Sequence, residues 1–191
     1  MTTAPLSKDL PRAALTRRIV LKAAGLGGLA LAGIGRPRFG LAQGVGGWTH
    51  VVGGGGGLLF YNAQSGAAIV GALDGAGFVQ NESHNDFAPG VSLIVCTSKG
   101  SVLYIDTSSG SGGTGSIAGG HWTPGGAYNG FASNWTHAVA SADSVLLYDA
   151  NGGQSLACTL INGVWTYLFD YTDFTPGFTH LFASDDTLLF Y

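Results

Sequence analysis

The sequence has little charge, and the charge it has is unevenly placed. Only 10% of its 191 residues are Asp, Glu, Lys or Arg. No arginine follows residue 38, and Lys99 is the one lysine beyond residue 42. Residues 43–191 therefore contain one basic and ten acidic residues, a formal net charge of −9. Because such a surface repels phosphate backbones and anionic lipids, the sequence predicts no nucleic-acid binding and no attraction to an anionic membrane.

Several residues that mark common functional sites are also scarce. Glu82 is the only glutamate and Met1 the only methionine. The two cysteines, Cys96 and Cys158, leave two interpretations open, a disulfide or a pair of buried thiols. The sequence contains neither a Gly-x-Ser-x-Gly turn nor an Asp-x-Asp-x-Asp-Gly loop. The usual signals of a serine hydrolase and of a loop-type calcium site are thus missing.

The first 42 residues differ in composition from the rest. Paired arginines at 17–18 precede a weakly apolar, glycine-rich stretch and then Gly40-Leu41-Ala42. This pattern is typical of an export signal and resembles the twin-arginine type, with Val20 where that type usually has phenylalanine. We therefore expect a signal over 1–42, a mature domain over 43–191 in the periplasm or outside the cell, and no stable membrane insertion.

A repeat of 43 or 44 residues dominates the remaining chain. In each copy a hydrophobic residue precedes a tyrosine by 13 positions. The four pairs are Trp48 and Tyr61, Val91 and Tyr104, Trp135 and Tyr148, and Phe178 and Tyr191. Self-similarity at this period is typical of blade or solenoid architectures. The copies are 48–90, 91–134, 135–177 and a partial copy over 178–191.

Each full copy has room for four short strands. In the third copy, alternation and apolar runs predict strands over 135–139, 145–148, 155–160 and 164–169, with Asn162-Gly163 as a hairpin turn. Four antiparallel strands per 43 residues is the size of a propeller blade. The predicted fold is all-β, a β-propeller of about three and a half four-stranded blades. The alternative is a β-trefoil, which gives the fourth hairpin no role.

The half-blade has a consequence for assembly. A two-stranded blade leaves unpaired strand edges that favour pairing with another chain. We therefore expect a homo-oligomer, in which copies of the chain complete the propeller ring.

The repeat also carries a family resemblance. Trp-Thr-His-Val-Val with Leu-Leu-Phe-Tyr (48–61), and Trp-Thr-His-Ala-Val with Leu-Leu-Tyr-Asp (135–149), resemble the repeat of bacterial tachylectin-like, lectin-type propellers. The resemblance covers nearly all of 43–191 and implies an extracellular protein that binds glycans. The Arg and Glu residues with which fucose-binding propellers hold their sugar have no repeated counterpart here.

Two sets of repeated side chains are candidates for a site. Phe78, Trp122 and Trp165 share one repeat position, where they could stack on sugar rings or pack between blades. Three histidines share another position and could hold a metal, or each could make a structural hydrogen bond. They are His50, His137 and His180. The repeat accounts for the histidine spacing, so no metal and no cofactor is predicted.

Two pairs of carboxylates are the remaining candidates for a catalytic site. Glu82 with Asp86, and Asp170 with Asp173, fall before the next copy, where solvated turn residues are expected. We therefore expect no enzyme. The expected function is an exported, lectin-like module that recognises glycans at blade junctions, and the alternative is a structural or protein-interaction propeller without a small-molecule ligand.

Overall fold

The computed structural model describes residues 47–75, 77–184 and 187–191. All regular secondary structure within these ranges is β-strand. The strands are β1 (His50–Gly54), β2 (Gly57–Tyr61), β3 (Ala68–Leu73), β4 (Phe78–His84), β5 (Leu93–Cys96), β6 (Ser101–Asp106), β7 (Ser111–Ala118), β8 (His121–Asn129), β9 (His137–Ala140), β10 (Ser144–Tyr148), β11 (Ser155–Ile161), β12 (Val164–Tyr171), β13 (Leu181–Ser184) and β14 (Thr187–Phe190).

The strands form three four-stranded antiparallel sheets and one hairpin. Blade 1 is β1–β4, blade 2 is β5–β8, blade 3 is β9–β12, and β13–β14 is the half-blade. Within each sheet, neighbours in sequence are neighbours in space, and the first strands β1, β5, β9 and β13 lie side by side in that order. This is the architecture of a β-propeller, so the predicted fold is confirmed and the trefoil alternative is wrong.

The predicted strand boundaries of blade 3 agree with the structure to within a few residues. Asn162 and Gly163 connect β11 to β12, and both adopt positive φ, 52° and 73°. Two successive positive φ values define the turn that matches the right-handed twist of a two-residue hairpin. The hairpin prediction is confirmed.

The hydrophobic core lies between blades. One cluster combines Leu59 and Tyr61 of blade 1 with Val102 and Ile117 of blade 2. A second cluster combines blade 2 with blade 3, including Leu147, whose side chain is fully buried. Because each sheet is four short strands, it buries its faces only against a neighbouring sheet. The blades therefore stabilise one another in sequence.

Tyr61 and Tyr148 connect blades 1 and 3 to the linkers that follow them, whereas in blade 2 the matching position is Ile105, one residue after Tyr104. The Tyr61 hydroxyl donates a hydrogen bond to the Ala88 carbonyl at 2.7 Å. The Tyr148 hydroxyl donates to the Thr175 carbonyl at 2.8 Å. Both acceptors immediately precede or lie within the Pro-Gly linkers, so this hydrogen bond sets where the next blade begins.

The outer strand of blade 3 exposes an apolar surface. Val164, Tyr167, Phe169 and Tyr171 on β12 are all exposed. On the half-blade, Phe182, Leu188, Leu189 and Tyr191 are exposed as well.

Three further predictions concern the export signal, the two cysteines and membrane insertion. The export signal predicted over 1–42 lies outside the described residues. Cys96 and Cys158 are free thiols, and burial raises the pKa of each to about 12. Among the described residues, no helix is long and apolar enough to cross a membrane.

Candidate functional site

The candidate site consists of residues that depart from the repeat. Strand pairing places Glu82 opposite Val70, and the matching positions hold Gly126 in blade 2 and Phe169 in blade 3. By the same register, His84 corresponds to Tyr128 and Tyr171, and His121 to Val164. The fold therefore does not require a carboxylate or an imidazole at any of these three positions. Departures from a regular pattern are where functional residues are expected.

Glu82 lies between two histidines from different blades. His121 Nδ1 is 2.8 Å from Glu82 Oε1, and His84 Nε2 is 3.1 Å from Glu82 Oε2. The backbone N–H of Trp122 donates a third hydrogen bond to Oε2 at 2.9 Å. Asp86 Oδ1 lies 3.6 Å from the other ring nitrogen of His84. The cluster, which we call the Glu82 cluster, joins β4 to the start of β8.

A tight turn positions His121. Gly119 and Gly120 connect β7 to β8 with φ values of 57° and 81°, which favour glycine. The Asn81 side-chain amide donates to the Gly120 carbonyl at 3.1 Å, across the blade junction. A Cβ on Gly120 would lie 2.7 Å from both Asn81 Nδ2 and the Gly71 carbonyl carbon. Close packing therefore holds this turn against blade 1 and places His121 beside Glu82.

The surroundings of Glu82 keep it ionised. The Trp122 N–H and then the His121 imidazole hydrogen-bond the carboxylate and hold the pKa of Glu82 below its ordinary value. An ionised carboxylate only accepts hydrogen bonds, so both imidazole nitrogens that face it carry protons. For a neutral His121 this fixes the tautomer, with the proton on Nδ1 and the lone pair on Nε2.

This geometry has a defined chemical capacity. The side chain of His121 is 66% exposed, whereas those of Glu82 and His84 are 27% and 21% exposed. No hydrogen bond to His121 Nε2 occurs within the described part of the chain. A carboxylate that orients an imidazole, with the second nitrogen open to solvent, is the arrangement of a general base that activates water.

A cavity of about 500 Å³ adjoins the cluster. Asp86, which contacts His84, lines this cavity. Trp122, which follows His121 in the sequence, lines it as well. Its aromatic wall includes Phe87, whose ring lies 5.1 Å from that of Trp122 and 5.7 Å from the imidazole of His84. Such a cavity can hold a small molecule, and Glu82, His84 and His121 lie next to it without lining it.

The predicted aromatic residues lie at three separate places. Phe78 packs on Phe60 within blade 1, with ring centroids 4.9 Å apart. Trp122 and Trp165 pack instead on the linker residues Phe87 and Phe131. Each is partly buried and supports a blade or a blade junction. Trp122 alone of the three borders the Glu82 cluster.

The repeated histidines make similar structural contacts in blade 1, blade 3 and the half-blade. His50 Nδ1 meets Thr49 Oγ1 at 2.9 Å and His50 Nε2 meets the Ser92 carbonyl at 3.1 Å. His137 makes the equivalent contacts with Thr136 and Thr179. His180 Nδ1 meets Thr179 Oγ1 at 2.8 Å. Within the described ranges no group of three or more His, Cys, Asp or Glu side chains could hold a metal ion.

Sequence reasoning missed the histidines of the cluster. Glu82 and Asp86 were expected to be solvated, yet Glu82 is the centre of a hydrogen-bonded group. His121 lies 39 residues further along the chain, and only the register of two sheets brings it to Glu82. The available signal was that the sole glutamate and two of the five histidines stand where the other copies have no charge.

Solved structures resemble this chain in fold. The periplasmic gluconolactonase PpgL of Pseudomonas aeruginosa matches with a TM-score of 0.52, 16% identity, and coverage of 75% of this chain and 42% of that chain. A putative 6-phosphogluconolactonase of Bacteroides fragilis matches with a TM-score of 0.47, 13% identity and coverage of 64% and 42%. The Myceliophteria thermophila Cps50 (Swd1) β-propeller domain matches with a TM-score of 0.49, 9% identity and coverage of 73% and 48%.

These similarities show the fold and no more. The chain spans less than half of the length of each of these three solved chains. No protein-family model matches the chain, and no curated protein matches it.

The comparisons correct the expected function. The prediction of a non-enzymatic, lectin-like module, with a structural or interaction propeller as its alternative, is wrong. The solved structures that share this fold include a protein named as a gluconolactonase, which is an enzyme. The physical reason for the error is that a propeller repeat specifies core residues, whereas catalytic groups occupy positions outside the repeat.

Proposed function

We propose that the chain is a hydrolase for small neutral lactones, with the Glu82 cluster as its catalytic group. The observation that carries this proposal is the contact of 2.8 Å between His121 Nδ1 and Glu82 Oε1, which leaves Nε2 of an exposed imidazole free to take a proton from water. His84 donates to the same carboxylate and positions it.

The proposed reaction is a hydrolysis assisted by a general base. His121 Nε2 removes a proton from a water molecule as its oxygen adds to the lactone carbonyl carbon. The tetrahedral intermediate then collapses, the ring C–O bond breaks, and the imidazolium returns the proton to the leaving alkoxide. The product is an open hydroxy acid, whose carboxyl proton goes to solvent. Water is the only co-reactant.

One feature favours lactones over other esters, and a second favours neutral lactones over phosphorylated ones. A small ring holds the ester in its strained conformation, so it reacts with base-activated water more readily than an open-chain ester. Residues 43–191 carry a net charge of −9, and their one lysine, Lys99, is paired with Asp143. That field repels phosphorylated substrates, so a neutral lactone fits better than a lactone phosphate.

Location and assembly belong to the same proposal. An exported enzyme would meet neutral lactones outside the cytoplasm, as the twin-arginine-like pattern of residues 1–42 predicts. The residues of the repeat that resemble tachylectin-like propellers would form the core of the blades and would not bind glycans. The exposed apolar surface of blade 3 and the half-blade supports a homo-oligomer.

A hydrolysis assay tests the function. The purified chain is given gluconolactone, δ-valerolactone and 6-phosphogluconolactone, and acid release is followed in a pH-stat. We expect turnover of the two neutral lactones, and His121→Ala should lower kcat/KM by about 100-fold or more. His180→Ala removes an exposed histidine from the half-blade and is the matched control. Equal rates for wild type and His121→Ala, or hydrolysis of the phosphate alone, would overturn the proposal.

A further inference from the structure

The junctions between blades are built from the same two pairs of side chains on the first two strands of each blade. We call the pair that faces the next blade the back pair, and the pair that faces the preceding blade the front pair. At the junction of blades 1 and 2, the back pair is Val52 and Leu59 and the front pair is Ile94 and Tyr104. All four side chains lie in one hydrophobic cluster. The pairs at the junction of blades 2 and 3 are Val95 and Leu103, and Ala138 and Leu147.

The half-blade joins blade 3 in the same way. The back pair of blade 3, Val139 and Leu146, is buried, with exposures of 9% and 5%. The front pair of the half-blade is Leu181 and Phe190. The Phe190 ring lies 6.1 Å from that of Tyr148 in blade 3. Three successive junctions therefore pack a back pair against a front pair.

One back pair and one front pair lack this packing within residues 47–75, 77–184 and 187–191. The back pair of the half-blade, Phe182 and Leu189, is 56% and 59% exposed. In the front pair of blade 1, Val51 is 53% exposed and Phe60 is half-buried. Both pairs are apolar, and they occupy positions that a neighbouring blade covers at the other junctions. The two faces are therefore the two halves of one further junction.

A histidine contact that crosses two of the three junctions points to the same packing. His50 Nε2 meets the carbonyl of Ser92, the second residue of its copy of the repeat, at 3.1 Å. His137 Nε2 meets the carbonyl of Thr179, again the second residue of its copy, at 3.0 Å. His180 holds this position in the half-blade, and no hydrogen bond to its Nε2 occurs within the described part of the chain. The repeat predicts that its partner is the second residue of a following blade.

We propose that the half-blade of one chain packs on blade 1 of a second copy of the same chain. The exposed back pair then lies against Val51 and Phe60 of the second copy, and His180 Nε2–H donates to the Thr49 carbonyl of that copy. A second copy fits because all blades derive from one repeat, so the half-blade presents the pattern that the front face of blade 1 requires. The inference rests on the homo-oligomer proposed above and is independent of lactone hydrolysis.

The contact is head-to-tail, because it joins two different faces of the chain. Contacts of this kind close into a ring or continue as a filament. Each copy contributes three blades and a half-blade, and propellers have about four to eight blades. We therefore expect two copies, joined at both pairs of faces, to close one ring.

A mixing experiment tests the proposal, with the mass measured by light scattering coupled to gel filtration. Val51→Glu charges the front face and Leu189→Glu charges the back face, so each variant alone should change from two chains to one. An equimolar mixture should recover the mass of two chains, because one front face and one back face remain intact. Leu189→Glu mixed with Phe182→Glu is the control, since both variants are altered at the back face and should stay single chains.

The wild-type chain provides a second measurement. On dilution to single chains, hydrogen–deuterium exchange should become faster in residues 48–61 and 178–191, and should stay unchanged in residues 135–148 at an internal junction. His180→Ala should weaken association by about 2- to 10-fold, the effect of one hydrogen bond. If a charged variant fails to fold, the exchange measurement decides, and unchanged exchange in 48–61 would overturn the proposal.

Three results of the mixing experiment would also overturn the proposal. They are a wild-type mass of one chain, a Val51→Glu chain that keeps the wild-type mass, and a mixture that stays as single chains. Val51→Glu should hydrolyse δ-valerolactone at the wild-type rate, because Val51 lies outside the Glu82 cluster. A chain that associates as described and hydrolyses no lactone would overturn only the proposed function.

Discussion

His121 Nδ1 lies 2.8 Å from Glu82 Oε1, and this contact joins residues of two different blades. The contact does not recur at the next junction, because the matching positions there are Gly126 and Val164. The same carboxylate also accepts from His84 and from the Trp122 backbone. The junction of blades 1 and 2 therefore differs from the junction of blades 2 and 3 in charge, in hydrogen bonding and in chemical capacity.

The turn after β6 predicts a pH-dependent stability. The Ser108 and Ser109 hydroxyls donate to Asp106 and lower its pKa from 3.8 to about 2. Since the folded pKa lies below the unfolded one, this stabilisation is present above the unfolded pKa and is lost as pH falls through about 2. Asp106→Asn should therefore lower the urea midpoint at neutral pH, and the difference from wild type should shrink as the solution is acidified. The measurement is urea unfolding followed by circular dichroism.

Asp173→Asn is the control for this comparison. Asp173 is an exposed carboxylate that makes no hydrogen bond within the described chain. A wild-type advantage over Asp106→Asn that stays constant from neutral pH to about pH 2 would contradict the assignment.

Packing between blades predicts a large effect from one core substitution. Leu147 on β10 is fully buried in the cluster that joins blades 2 and 3. Leu147→Ala should lower the free energy of unfolding by about 2–5 kcal/mol, through lost transfer energy and the cavity left behind. Leu73→Ala, at a position that is 66% exposed, should change it by less than about 0.5 kcal/mol. Equal effects in denaturant titrations would show that the blades do not depend on this interface.

The β11–β12 turn predicts a backbone effect. Gly163 has φ of 73°, its N–H donates to Ser101 Oγ at 3.2 Å, and its carbonyl accepts from Thr114 Oγ1. Gly163→Ala should destabilise the protein by about 1–2 kcal/mol, because an L side chain disfavours positive φ. Gly47→Ala has open space around its Cβ and should be nearly neutral. If both variants have the same melting temperature, the turn does not hold blade 3 against blade 2.

The apolar surface of blade 3 predicts self-association. Phe169 and Tyr171 on β12 and Leu189 on β14 are each exposed. We expect light scattering coupled to gel filtration to give a mass of at least two chains. Leu189→Glu should shift the protein toward a single chain, because it places a charge on the surface that is buried on association. Leu73→Glu, at an exposed site on blade 1, is the control. A single-chain mass for wild type at every concentration would contradict this prediction.

Much of the fold could be predicted because the same pattern of strand and turn residues recurs in each copy of the repeat. The spacing of Trp135 and Tyr148, and the turn residues Asn162 and Gly163, identify strands through local alternation and positive φ, which act over a few residues. The Glu82 cluster could not be predicted in the same way. Glu82 and His121 meet only through the relative position of two sheets, and that position follows from packing between blades, which no single repeat encodes.

The most direct test of the central claim, that Glu82 and His121 form one catalytic unit, is a double-mutant cycle in kcat/KM for δ-valerolactone. Glu82→Gln and His121→Ala should each lower kcat/KM, by about 10-fold or more and about 100-fold or more. Groups that act as a unit are not additive, so the double variant should be within a few-fold of His121→Ala alone. Losses that multiply, or single variants that retain the wild-type value, would contradict the account.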